Sequence, residues 1–156
     1  MITLIQILER FFLSIALGAI LGIERELVGK EDAGVRTEML VSAGATIFTI
    51  IGISLPYLIA QNPSDITDII ARNSGFLQVI SNIVVGIGFL GGGLIIKNED
   101  RAHGITTAAM VWTTAAIGVL VGLGMIEFAI IATISIAIIL YILRGLDIAE
   151  KIKNKK

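Results

Sequence analysis

The sequence predicts an all-α fold, a polytopic membrane bundle of five transmembrane helices in one domain over residues 1–156. Three observations carry that expectation. Hydrophobic residues make up 55% of the chain and charged residues 16%, and a mean hydropathy of +0.91 suits a lipid solvent rather than water. Three stretches, Met39 to Ala60, Asn73 to Ile96 and Gly104 to Ile126, contain no acid or base, and each has the roughly 20 residues needed to cross a hydrocarbon core of about 30 Å. Glycine is abundant, with 17 residues against 2 Pro, and several fall at helical spacing, where they let membrane helices approach closely.

Composition also removes whole classes of function. Lys and Arg total 12 against 13 Asp and Glu, a formal charge of −1, so no basic excess marks a nucleic-acid partner. With no Cys and with His103 alone, there is no disulfide, no thiolate chemistry and no zinc-ligand spacing. Nucleophile, general base and water-excluding pocket do not coincide in the sequence. No catalytic residue, cofactor or resident metal is therefore expected, and the chain is not read as an enzyme.

The first helix is expected over about residues 2–23 and contains Glu9 and Arg10. The uncharged run from Phe11 to Ile23 alone would reach only about 20 Å at 1.5 Å per residue. Either the helix takes in the charged pair, which then needs a partner, water or snorkelling, or the segment is an interfacial stub. Neither a basic n-region nor a small-residue cleavage pattern marks a signal peptide. Further spans are expected over about residues 39–60, 74–96, 105–125 and 127–143, followed by a basic tail, 144–156. The last span is rich in Ile and Ala, which suits lipid contact. Arg25, Lys30, Arg36, Lys97, Arg101 and the basic tail lie on one side of this arrangement, and between spans only Arg72 lies on the other. Lys and Arg resist translocation, so the amino terminus is placed outside and the tail in the cytoplasm.

Two hairpins look like a duplicated helix pair. LGAILGIERE aligns with LGGGLIIKNE, and GVRTEMLVSAGATI with GITTAAMVWTTAAI, which implies a parallel two-helix internal repeat. Ser14, Gly18 and Gly22 form one stripe on the first helix, and Gly118 with Gly122 another on the fourth. Gly86, Gly88, Gly91, Gly92 and Gly93 crowd the third helix. Three consecutive glycines cost about 1 kcal/mol each relative to Ala, so either a tight helix crossing is expected there or a break that presents carbonyls to a ligand in a protected cavity. Inward polar stripes are expected from Ser42, Thr46 and Thr49, from Gln78 and Asn82, and from Thr106, Thr107, Thr113 and Thr114. Interhelical hydrogen bonds account for them at about 0.6 kcal/mol each. A solute pathway would instead place Thr46, Gln78, Asn82, Thr106, Thr107 and Thr113 at its lining.

The charged punctuation is the remaining candidate site. Glu24 and Arg25 end the first helix, while Arg36, Thr37 and Glu38 open the second. Arg25 and Arg36 bound one short loop, where they could grip an anionic group or a partner's carboxylate. Thr37 and Thr107 each stand three residues after a glycine, just ahead of an apolar run, where a hydroxyl can cap the first free amides of a helix.

At these residues the chain resembles the MgtC/SapB family, through LGAILGIERE, AGVRTEMLVSAGA and above all GIGFLGGGLI followed by HGITTAAMVWTTAAIGVLVGLG. The resemblance runs from about Leu17 to Gly124. Glu24 with Arg25 matches the family's Glu-Arg pair, and Gly34, Arg36 and Thr37 match its turn. Gly86, Gly88, Phe89, Leu90, Gly91 and Gly93 match its glycine helix, and Gly104, Thr106, Thr107, Ala108, Ala109 and Trp112 match the next. Glu38 stands where many relatives have His, and Gln78 where Arg is common. Larger relatives add a soluble carboxy-terminal domain, which a short form ending soon after the fifth span is expected to lack.

The resemblance implies an inner-membrane protein linked to magnesium limitation, acid stress or intracellular survival. Magnesium demands octahedral oxygen ligands including a carboxylate or two, whereas the expected spans after the first offer only amides, hydroxyls and carbonyls. Glu24, Glu26, Glu31, Asp32, Glu38, Glu99 and Asp100 would attract divalent cations only loosely. The expected function is therefore regulatory or partner-binding in the lipid bilayer. The partner class implied by the family is a membrane complex such as the proton-translocating ATP synthase. The alternative is a small homo-oligomeric transporter or channel for magnesium or another solute.

Overall fold

The computed structural model describes residues 2–27, 33–72, 75–98 and 101–153. Lys30, Glu31, Asp32, Glu99, Asp100 and the end of the basic tail lie outside the described residues. In order the elements are α1 (Leu4–Leu27), α2 (Val35–Ile59), α3 (Asp65–Arg72), α4 (Gly75–Leu94), β1 (Ile96–Asn98), β2 (Arg101–His103), α5 (Ile105–Leu123) and α6 (Ile126–Lys153). α1, α2, α5 and the Ile126–Arg144 part of α6 are each long and apolar enough to cross a membrane. α4 contributes a shorter apolar stretch, Gln78–Leu94.

α1 begins where a reciprocal cap fixes it: the Gln6 amide N–H donates to Thr3 Oγ1 at 3.3 Å, and the Thr3 amide N–H donates to Gln6 Oε1 at 3.0 Å. From there it runs unbroken through Glu9 and Arg10. Arg10 finds its partner at the far end of α5, donating from Nη1 to the Gly122 carbonyl at 2.7 Å. That carbonyl belongs to the negative end of the helix dipole, so charge and hydrogen bond act together. α5 stops beside it because Gly124 turns left-handed, with φ of 86°, and returns its N–H to the Val121 carbonyl.

Charges end a membrane span but not a helix, and this explains most differences from the expected boundaries. α1 continues through Glu24, Arg25 and Glu26 to Leu27, α2 starts at Val35, and α6 continues to Lys153. Two small elements are additional. α3 opens on an Asn62–Asp65 turn, in which the Asn62 amide N–H donates to Asp65 Oδ2 at 3.0 Å. The antiparallel pair β1–β2 matches Ile96 with His103 and Asn98 with Arg101 between α4 and α5.

α5 is the central helix. On one side Leu17, Leu21, Met110, Ile117, Val121 and Ala129 join α1, α5 and α6. On the other Val41, Ala45, Val111 and Ala115 join α2 and α5, with Ile83 and Ile87 of α4 against them. The most apolar span, in α6, is also the least buried, which is the order expected when the solvent is lipid and buried faces carry small and polar groups.

The small-residue stripes of α1 and α5 define the tight crossings. A Cβ at Gly18 would stand 2.6 Å from the Glu38 carbonyl oxygen, and one at Gly22 would stand 2.4 Å from Val35 Cα. A Cβ at Gly118 would stand 2.3 Å from the Ser42 carbonyl oxygen, and one at Gly122 would stand 2.6 Å from Thr49 Cβ. The third-helix glycines differ from expectation. Gly91 meets Ala108 in ordinary contact, whereas Gly86, Gly88, Gly92 and Gly93 face open space. Successive helical residues point about 100° apart, so a run of three glycines cannot put all its members on one crossing. The Gly91–Ala108 contact falls at the position that the repeat alignment pairs with Gly18–Glu38, so the two helix pairs share a crossing point.

Candidate functional site

The close approach of α1 and α2 encloses a polar cluster in the bundle. Ser14, Gly18, Gly22 and Arg25 form one stripe of α1, and Glu38, Ser42, Thr46 and Thr49 one stripe of α2, all buried. α5 supplies Thr107 and Thr114 from the third side, likewise buried. Arg25 is 3% exposed and donates from Nη2 to Thr107 Oγ1 at 2.6 Å. Glu38 is fully buried, and its carboxyl feels the charge of Arg25 and the hydroxyl of Thr114. No ion pair or well-directed hydrogen bond closes between them: both Glu38 carboxyl oxygens, Arg25 Nε, Ser42 Oγ and Thr114 Oγ1 are buried without a hydrogen-bond partner.

Burying a charge in so apolar a setting is costly unless an opposite charge accompanies it. Arg25 and Glu38 bring opposite charges into one cluster shared by three helices, without a direct ion pair. Arg25 is therefore a structural cation inside the bundle. The expectation that it offers surface charge beside Arg36 is corrected: Arg25 turns inward on the stripe begun by Gly18 and Gly22, while Arg36 is exposed. Glu24 is half-buried, with Oε2 unpartnered. Glu26, absent from the expected site, accepts the Val35 amide N–H on Oε1 at 3.1 Å and so covers the start of α2.

The threonines do other work than expected. Neither α2 nor α5 has a side-chain cap; Gly34 and Gly104 occupy those positions, Thr37 lies inside α2, and Thr107 receives Arg25 instead. Thr46 donates to the Gly118 carbonyl at 2.7 Å, fastening α2 to α5. Thr49 donates to Ala45, and Thr113 to Ala109, each one turn back on its own helix. Thr106 is exposed. Thr46, Thr106 and Thr113 thus do not converge on one lining.

Gln78 and Asn82 form a second, outward-facing feature. Gln78 Nε2 donates to Asn82 Oδ1 at 3.1 Å, and both side chains are exposed on α4. Asn82 lines a groove of about 470 Å³ between α2 and α4, together with Gly44, Phe48, Val79 and Gly86. Side chains at Gly44 or Gly86 would meet open space. Among the described residues, no three His, Asp or Glu converge as metal ligands would.

A family model described as the MgtC family matches residues 11–148. Protein MgtC of Brucella abortus is 36% identical over 130 residues, which cover 83% of this chain and 48% of that protein. The putative magnesium transporter YhiD of Escherichia coli K12 is 32% identical over 155 residues, covering 95% of this chain and 65% of its own. Protein SrpB of Synechococcus elongatus is 33% identical over 132 residues, covering 80% and 67%. The chain spans about half the length of the MgtC proteins it matches. No solved structure matches.

Proposed function

The chain belongs to the MgtC family of membrane proteins, and from that premise we propose that it is a regulatory, partner-binding protein of the inner membrane that serves magnesium homeostasis. The names of its relatives link the family to magnesium. The observation that carries the regulatory reading is the Gln78–Asn82 pair. Two amides exposed on an apolar helix leave donors and acceptors facing lipid, where a hydrogen bond from a neighbouring helix is worth about 1 kcal/mol. Gly44 and Gly86 leave room beside them for such a helix. The partner is read as a transmembrane helix of another membrane complex, the proton-translocating ATP synthase being the class named for the family. The amino terminus lies outside, the tail lies in the cytoplasm, and the role is not enzymatic.

Magnesium is cargo only in the competing reading, in which copies of the chain assemble a conduit. Glu38, the acid enclosed in the bundle, already shares its site with Arg25, and a cation ligand so compensated is a poor one. Proteoliposomes carrying the pure protein and a magnesium-sensitive dye are expected to show the leak of empty vesicles. Magnesium entry above that leak, abolished by Asn82→Leu, would establish the conduit.

A further inference from the structure

We propose that the groove between α1 and α2 binds one anionic phospholipid, its acyl chain lying along the groove and its phosphate on Arg36. The groove has a volume of about 540 Å³, and Phe11, Ile15, Met39, Ala43 and Ile47 are among the apolar residues that line it. Arg36 is its one charged member. The side chain is exposed, and no described residue forms a hydrogen bond or ion pair with it.

Length identifies the occupant. α2 has 25 residues, about 37 Å at 1.5 Å per residue, so in a core of about 30 Å its first turn stands at headgroup level. Arg36 lies in that turn. Ile47, at the inner end of the lining, is about 16 Å further along the helix, close to half the core thickness of about 15 Å. The groove thus extends from the phosphate level to the bilayer midplane, the depth of one leaflet.

Charge identifies the headgroup. A guanidinium offers a phosphate two parallel hydrogen bonds and keeps its charge at any working pH. No acid lines the groove to offset it. An anionic lipid is favoured over a zwitterionic one by the net attraction of one basic side chain near the surface, about five-fold in retention. Leu40 and Gly44 border both this groove and the one beside α4, whereas Arg36 lines this one alone, so Arg36→Gln tests the lipid without touching partner binding at α4.

The full chain, purified in detergent and supplied with equal phosphatidylglycerol and phosphatidylcholine of identical chains, is read by native mass spectrometry. The wild type is expected to retain one phosphatidylglycerol at about five-fold preference. Arg36→Gln should abolish the preference and Arg36→Lys should keep most of it. Gly44→Leu places a side chain where the backbone leaves open space, in the lining itself, and should expel the lipid while Arg36 remains. Glycerol 3-phosphate in excess should not displace it. A wild type without preference, a preference that survives Arg36→Gln, or retention unchanged by Gly44→Leu would overturn the proposal. Displacement by glycerol 3-phosphate would overturn the acyl-chain part and leave a soluble-phosphate site in its place.

Discussion

Arg25→Ala is expected to destabilise the bundle by about 3–5 kcal/mol, the cost of leaving a buried charge without its counterpart. The reason is local. Arg25 is 3% exposed and Glu38 fully buried, so neither reaches solvent when the other is removed, and Thr107 loses its donor as well. The double variant Arg25→Met with Glu38→Leu should recover most of the loss, because apolar side chains of similar size substitute well for buried opposite charges. Unfolding in mixed micelles, titrated with a denaturing detergent, measures Arg25→Met, Glu38→Leu and the double variant on one scale. Costs that simply add would show that the two side chains are independent and that the polar cluster is not a unit. Arg36→Ala is the control, since its side chain is exposed and α1 and α2 do not depend on it.

The second large effect comes from a single methyl group. Gly118→Ala would place a Cβ 2.3 Å from the Ser42 carbonyl oxygen and 2.9 Å from Ala45 Cβ. Backbone cannot yield as a side-chain tip can, so α2 and α5 must separate. Overpacking of this kind costs about 1–3 kcal/mol, and separation also strains the Thr46 hydrogen bond to the Gly118 carbonyl. Gly92→Ala should have the opposite sign. Its Cβ meets open space, and alanine favours a helix by about 1 kcal/mol over glycine. Melting of the purified protein decides the matter, and equal responses at the two positions would refute the assigned crossings.

The contrast between these glycines shows what the sequence made legible. Charge-free runs located α2, α5 and the apolar part of α6, because lipid tolerates few unpaired charges. Gly18, Gly22, Gly118 and Gly122 were readable as packing residues because they repeat at four. The Gly91–Gly93 run was not resolvable in that way. Its composition says that a crossing is near, and only the rotation of α4 says that Gly91 makes it.

The buried cluster was half legible. Ser14, Gly18 and Gly22 continue at helical spacing into Arg25, and Ser42, Thr46 and Thr49 continue backwards into Glu38. Following either stripe past the end of the apolar run would have turned both charges inward. Ending the first span at Ile23 and opening the second at Met39 leaves both charges outside the membrane, where solvent is their expected setting. Nothing in the local sequence could reveal that Arg25 reaches Thr107, or Arg10 the Gly122 carbonyl, because these pairs are joined only by the packing of α1 against α5. α3 had a readable start in Asn62, Pro63, Ser64 and Asp65, but eight residues are too few to register as a span.

The most direct test of partner binding is photocrosslinking in living membranes. A photoreactive amino acid at Asn82 is compared with one at Ile139, which is exposed on α6, in cells held at low magnesium. Position 82 is predicted to yield one adduct containing a different membrane protein, and Gly86→Leu, which fills the groove beside it, is predicted to remove that adduct. Position 139 should yield lipid adducts alone. Adducts at position 82 containing only a second copy of the chain, or unaffected by Gly86→Leu, would contradict the regulatory account.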